Sequence, residues 1–192
     1  MNTSQDKIKI ASDACVLLGA SVIQSFDENT TEAQTARSFY DDVYMMALSS
    51  SNWSFAKMPV ELNRLDEKPD YGYKYVYNVK ADIIRIISLN DRPNQDYRLV
   101  KGRELHTSIE NPYVVALVKV DESQLPHDFI FALKHKLAAA FCSTITDDTA
   151  QLQRFEAKAD QLMKRAQYND QIQQPANYLK DSILISAHRG SR

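Results

Sequence analysis

Residues 29–56 read NTTEAQTARSFYDDVYMMALSSSNWSFA, and the rest of the chain is arranged around them. Asn29 with Glu32 three residues on has the polar acceptor and returning carboxylate of a capping box, which predicts a helix N-terminus. Ala36, Tyr40, Val43 and Ala47 recur at helical spacing, with Phe39 and Met46 beside them. The pattern predicts an amphipathic helix of about 20 residues, roughly 30 Å long. Ser49, Ser50, Ser51 and Asn52 end it, because short polar side chains compete for backbone hydrogen bonds. Trp53, the only tryptophan, and Phe55 follow at once. A long core helix whose end is pinned by two aromatic rings is expected, not a catalytic element.

Working outward, residues 4–18 carry a first helical face of Ile8, Ala11, Cys15 and Leu18, with Ser4 as a possible cap. Gly19 suits the left-handed position that closes a helix. Ile23 and Phe26 are expected to tuck into the core, Phe26 as a staple onto the long helix. Beyond Trp53 the segment 59–70 is charged and irregular. DYGYKYVYN (70–78) then alternates Tyr71, Tyr73, Tyr75 and Tyr77, which places four rings on one face of a strand. DIIRIISL (82–89) reads as a strand buried on both faces. Residues 91–94 form a turn, and segments 97–101 and 104–107 a hairpin about Gly102. YVVALVKV (113–120) is the most β-branched run and the last strand.

Helices resume after Pro126, which is well placed at a first turn. The small apolar run Ala138-Ala139-Ala140-Phe141 predicts a helix surrounded by others at close approach. A final helix begins near Asp147 or Asp148 and carries a narrow apolar stripe: Leu152, Phe155, Ala159, Leu162 and Ala166. From Gln173 the pattern breaks at Pro175. Yet Tyr178, Leu179, Ile183, Leu184 and Ile185 form an apolar set that predicts docking, with another chain favoured as the receptor. Strands grouped between helices predict an α+β fold. The expected form is mainly an α-helical bundle (1–56 and 123–172), with a small antiparallel β insertion (57–122) and an extended C-terminal tail (173–192).

Composition limits the function classes. The 192 residues are 44% apolar with a net charge of −2, so no global basic field argues for nucleic acid. Only four glycines occur, against about thirteen at average usage. No two lie close enough for a phosphate-cradling loop, so Walker and dinucleotide fingerprints are absent. Cys15 and Cys142 sit in apolar helical patterns, as buried free thiols suited to a reducing compartment. No signal core or membrane-length apolar window is present, so a soluble, non-exported protein is expected. His106, His127, His135 and His188 lie in no catalytic or metal-binding signature. Asp41 and Asp42 fall on the polar side of the long helix. No enzyme, cofactor or metal is expected.

The order of these motifs resembles the head-to-tail adaptor family of short-tailed phages, the tail tubular protein A type. The matching features are Leu18-Gly19, the helix over 32–48, Trp53-Ser54-Phe55-Ala56, the tyrosine strand, Asp82-Ile83-Ile84-Arg85-Ile86, and the alanine-rich run 137–141 before a charged helix. The similarity covers about residues 8–170, and Lys80 stands where a proline is expected. It implies a structural virion protein at the portal vertex of the tail, assembled in the host cytoplasm. It implies a ring of about twelve copies between portal protein and tail nozzle protein. Double-stranded DNA would pass through with only transient contact, and no membrane is involved. Trp53, Phe55, Asp82 and Arg85 would be structural motif residues, and Tyr178, Leu179, Ile183, Leu184 and Ile185 would bind the portal.

Two rivals stand beside this. The tyrosines of 71–77 could form a stacking platform for single-stranded nucleic acid, although only Lys74 and Lys80 supply nearby positive charge. A hydrolase would require His106 or His135 to converge with a carboxylate in a concave pocket.

Overall fold

The computed structural model describes residues 3–70, 72–92 and 96–172. It contains four α-helices: α1 (Thr3–Leu17), α2 (Thr31–Ser49), α3 (His127–Ile145) and α4 (Thr149–Ile172). Seven strands lie between α2 and α3: β1 (Lys57–Glu61), β2 (Asn63–Leu65), β3 (Tyr75–Asn78), β4 (Ile83–Leu89), β5 (Tyr97–Val100), β6 (Glu104–Thr107) and β7 (Tyr113–Val118). They form two antiparallel sheets, ordered β1-β7-β4 and β2-β3-β6-β5.

The expectation of a mainly helical bundle is therefore corrected. The structure is a mixed fold of about 49% helix and 21% strand, with the sheets forming a substantial part of it. Part of the difference lies in residues 57–65, of which 59–65 fall in the segment expected to be irregular. They form β1 and β2, separated only by the buried Leu62. β1 is an edge strand that is mostly exposed, so it carries no apolar alternation. Pro59 sits in it opposite Val115, a position tolerated at an edge because proline has no N–H to give a further strand.

The long helix lies where its periodicity places it, with Ala36, Tyr40, Val43 and Ala47 buried. Its cap differs from the expected one. Thr30, not Asn29, accepts the Ala33 N–H at 3.2 Å, while Asn29 accepts from the Gln34 side chain. Both residues suit an N-cap, and sequence spacing alone separates neighbours poorly. α1 closes at Gly19 with φ +77, where Ala20 N–H reaches back to the Cys15 carbonyl. Asp148 caps α4 by accepting the Ala150 and Gln151 N–H groups.

α3 packs against α1, α2 and α4, the surrounded position its alanines predict. β7 is the central strand of its sheet, buried from Val114 to Val118 against the same core. β4, expected to be buried on both faces, is an edge strand with two register shifts. Its isoleucines are partly buried, and Arg85 points outward. The β5–β6 hairpin forms about Lys101-Gly102-Arg103, with Gly102 at φ +75. Cys15 and Cys142 are both buried and unpaired with each other.

Candidate functional site

The residues singled out in the sequence fall into separate regions. Trp53 is fully buried, its Nε1 donating to the Ala47 carbonyl at 3.2 Å. Its ring meets Phe129 of α3 edge-on at 5.0 Å, and Phe55 meets the same ring at 5.2 Å. This aromatic trio joins the end of α2 to the start of α3. Arg85 reaches across to the Asn52 side chain at 2.8 Å, so β4 is tied to the turn just before Trp53. Asp82 is exposed and accepts the Lys119 N–H through its backbone carbonyl. Tyr178, Leu179, Ile183, Leu184 and Ile185 lie outside the described residues.

The tyrosine strand does not present an open row of rings. β3 starts only at Tyr75. Tyr77 is 1% exposed; its hydroxyl donates to the Ile109 carbonyl at 3.1 Å and accepts the Asn111 N–H at 3.0 Å. Tyr75 is partly buried beneath the Arg64 guanidinium, 4.5 Å from the ring centre. Tyr73 donates to Asp96. Tyr71 is outside the described residues. Two of the three described rings are thus engaged in holding the four-stranded sheet together.

Neither His106 nor His135 meets a carboxylate in a pocket, whereas His127 shares a depression of about 370 Å³ with Asp6 and Glu122. His106 is 2% exposed, accepting the Asp70 N–H at Nδ1, with a Glu104 carboxylate oxygen 3.6 Å from Nε2. It is sealed from any substrate. His135 turns Nδ1 toward the Phe131 carbonyl of its own helix at 2.9 Å. The pocket it lines holds Gln151, Arg154, Phe155 and Lys158, with no carboxylate in its wall. Among the described residues, no group of three or more His, Cys, Asp or Glu is placed to hold a metal ion. No helix among them is long and apolar enough to cross a membrane.

The buried polar centre of the helical layer was not anticipated. Tyr44 donates to the Val120 carbonyl at 2.6 Å, and Tyr40 lies beside it with a buried hydroxyl that has no hydrogen-bond partner. Glu122, 7% exposed, faces both rings. Burial and the Glu122 charge push both phenols far above their ordinary range, and burial likewise raises the Glu122 carboxyl. The Lys7 ammonium lies over the Tyr40 ring at 5.0 Å and pairs with Asp41 at 2.7 Å. The i, i+4 spacing of Tyr40 and Tyr44 was the available signal for the tyrosines. Nothing in the sequence around Glu122 marks it as buried.

Two concave surfaces have largely apolar walls. A groove of about 470 Å³ runs between α2 and α4, floored by Ala139 and Ala140 of α3 and walled by Val43 and Met46 on one side and Leu152 and Ala159 on the other. A shallower depression of about 720 Å³ lies on β1 and β7, with Met58, Tyr113 and Val115 in its wall. Apolar side chains also stand exposed at several separate places: Val16 and Leu17 at the end of α1, Val22 in the α1–α2 connection, Phe131 on α3, and Leu99 on β5. No protein-family model matches the chain, and no curated protein matches it.

Proposed function

We propose that this chain is a structural adaptor subunit of a short-tailed phage, one of about twelve copies in a ring between the portal protein and the tail nozzle protein. The observation that carries the proposal is the presence of unlike exposed apolar surfaces on one subunit. Val22 in the α1–α2 connection (62% exposed), Met46 on α2 (61%), Met58 on β1 and Leu99 on β5 stand on different elements. A ring is built from heterologous contacts, which need two different complementary faces on each copy.

The element order gives further support. A helix closed at Gly19, a long helix running into buried Trp53, a sheet region bearing Arg85, an alanine-rich central helix and a charged last helix follow the order of the resemblance. In this reading Trp53 and Phe55 set the junction of α2 with α3, and Arg85 holds β4 to that junction through Asn52. Tyr178, Leu179, Ile183, Leu184 and Ile185 supply the apolar anchors for the portal. With 23 basic and 25 acidic side chains, the ring would line a conduit without gripping passing DNA phosphates.

The test is native mass spectrometry of full-length protein mixed with the portal ring from the same phage. About twelve copies bound per portal is the expected result. A portal ring that stays bare, under conditions where both proteins are folded, overturns the proposal.

A further inference from the structure

The groove over α3 has a feature that ring packing alone does not explain. Its floor is cut deep because Ala139, Ala140 and Ser143 occupy the face of α3 between α2 and α4. Met46 stands on its wall 61% exposed, an arrangement that leaves apolar surface uncovered along a helix-lined trough. On the α4 side Glu156 and Asp160 form the rim, opposed by the single Lys136.

We infer that this groove receives the chain's own C-terminal segment, residues 178–185. Length comes first. Asp160 lies twelve residues before Ile172, the end of α4, about 18 Å back along the helix at 1.5 Å per residue. A connection from Ile172 to Tyr178 spans at most about 20 Å at ~3.3 Å per residue. A chain that reverses direction after α4 therefore brings Tyr178 back no further than the level of Asp160 and carries the following residues along the groove toward Leu152. Pro175 lies inside that connection, and a proline opposes continuation of α4.

Chemistry agrees with length. Tyr178, Leu179, Ile183, Leu184 and Ile185 are five large apolar side chains within eight residues, and the groove offers Val43, Met46, Leu152 and Ala159 to meet them. The segment from Tyr178 on carries Lys180, Arg189 and Arg192 against the single acid Asp181, so it is net basic where the rim is net acidic. Lys180 comes level with Glu156 and Asp160 when Tyr178 does. A self-occupied groove keeps the apolar anchors covered in the free chain, and any partner that uses those anchors competes with the groove for them. This contact does not depend on the adaptor reading, because groove and segment belong to one chain.

The experiment uses the full-length double variant Met46→Cys with Leu179→Cys, exposed to oxidised glutathione at low micromolar protein. The expected product is a monomer carrying an internal 46–179 disulfide, seen by intact mass and peptide mapping. The control pair Leu99→Cys with Leu179→Cys, on the exposed face of β5, is expected to cross-link about tenfold less. Disulfide-linked dimers in place of the internal bridge would assign the groove to a second copy and overturn the proposal. Cross-linking no greater than in the control would overturn it as well. A second variant guards against cysteine artefacts. Ser143 is exposed, so Ser143→Arg blocks the floor without touching the core. It should speed tryptic cleavage after Lys180 about tenfold relative to the unmodified chain, and an unchanged cleavage rate would sink the idea. Portal binding is not read in either experiment, so failure here is distinct from failure of the adaptor proposal.

Discussion

Asp170, near the end of α4, holds Ser54 across 116 residues of sequence: its carboxylate accepts the Ser54 N–H at 2.9 and 3.2 Å and the Ser54 hydroxyl at 2.5 Å. The contact caps the short 3-10 turn Ser54–Ala56 that follows Trp53. It therefore fastens the last helix to the same junction where Trp53, Phe55 and Phe129 pack.

Removing that carboxylate is expected to loosen α4. Asp170→Ala should cost about 1–3 kcal/mol, the range for losing hydrogen bonds to a charged acceptor and leaving a donor unpaired. Asp170→Asn keeps one acceptor oxygen and should cost less. Urea unfolding followed through the fluorescence of Trp53, the only tryptophan, reads this as a lower midpoint at unchanged slope. Equal stability of the Ala variant and the unmodified chain would show the contact to be energetically idle.

Tyr77 makes a different kind of tie. Its hydroxyl bridges the Ile109 carbonyl and the Asn111 N–H, fixing the loop between β6 and β7. Tyr77→Phe leaves both backbone groups without that partner and should destabilise by about 1–3 kcal/mol. Hydrogen exchange should accelerate at residues 109–111 while the Trp53 junction keeps its protection. Acceleration spread evenly over the molecule would mean the hydroxyl does not act locally.

Glu122 gives a pH signature whose sign follows from its burial. Its pKa is raised above the ordinary value of 4.5, chiefly by desolvation, so folding favours the neutral acid. The stability this confers is complete below pH 4.5 and is lost as pH rises through the raised value. Glu122→Gln, neutral throughout, should melt higher than the unmodified chain at pH 7 by about 2–4 °C, the shift that ~1 kcal/mol produces in a chain of this size. The difference should vanish near pH 4. A gain that persists unchanged into acid would place its origin outside the titration of Glu122.

Helical periodicity is the strongest signal in the chain, and it agrees with the structure where one face of a helix is buried. Tyr40, Val43 and Ala47 face the core, and Asp148 caps α4 near the expected place. Sequence and structure diverge at edge strands that are mostly exposed. β1 and β2 carry Lys57, Pro59, Glu61 and Arg64, a composition that resembles a loop, because an edge strand obtains its pairing from β7 or β3 and not from apolar alternation. The tyrosine alternation was visible, but its meaning was not. Whether a ring on a strand face meets solvent or a neighbour depends on which segment covers that face.

The sequence by itself determined the helices, their order around a central alanine-rich helix, the hairpin at Gly102 and the absence of glycine-rich phosphate loops. These are local properties, set by side-chain spacing and by the backbone freedom of single residues. Only the tertiary structure decided that the β portion forms two sheets, that Tyr77 and Glu122 are buried, that Asp170 holds Ser54, and that α2 and α4 stand apart over Ala139 and Ala140 to leave a groove. Each of these joins residues far apart in the chain, and such pairings are chosen by the competition among all the surfaces the chain can bury, which no local pattern records.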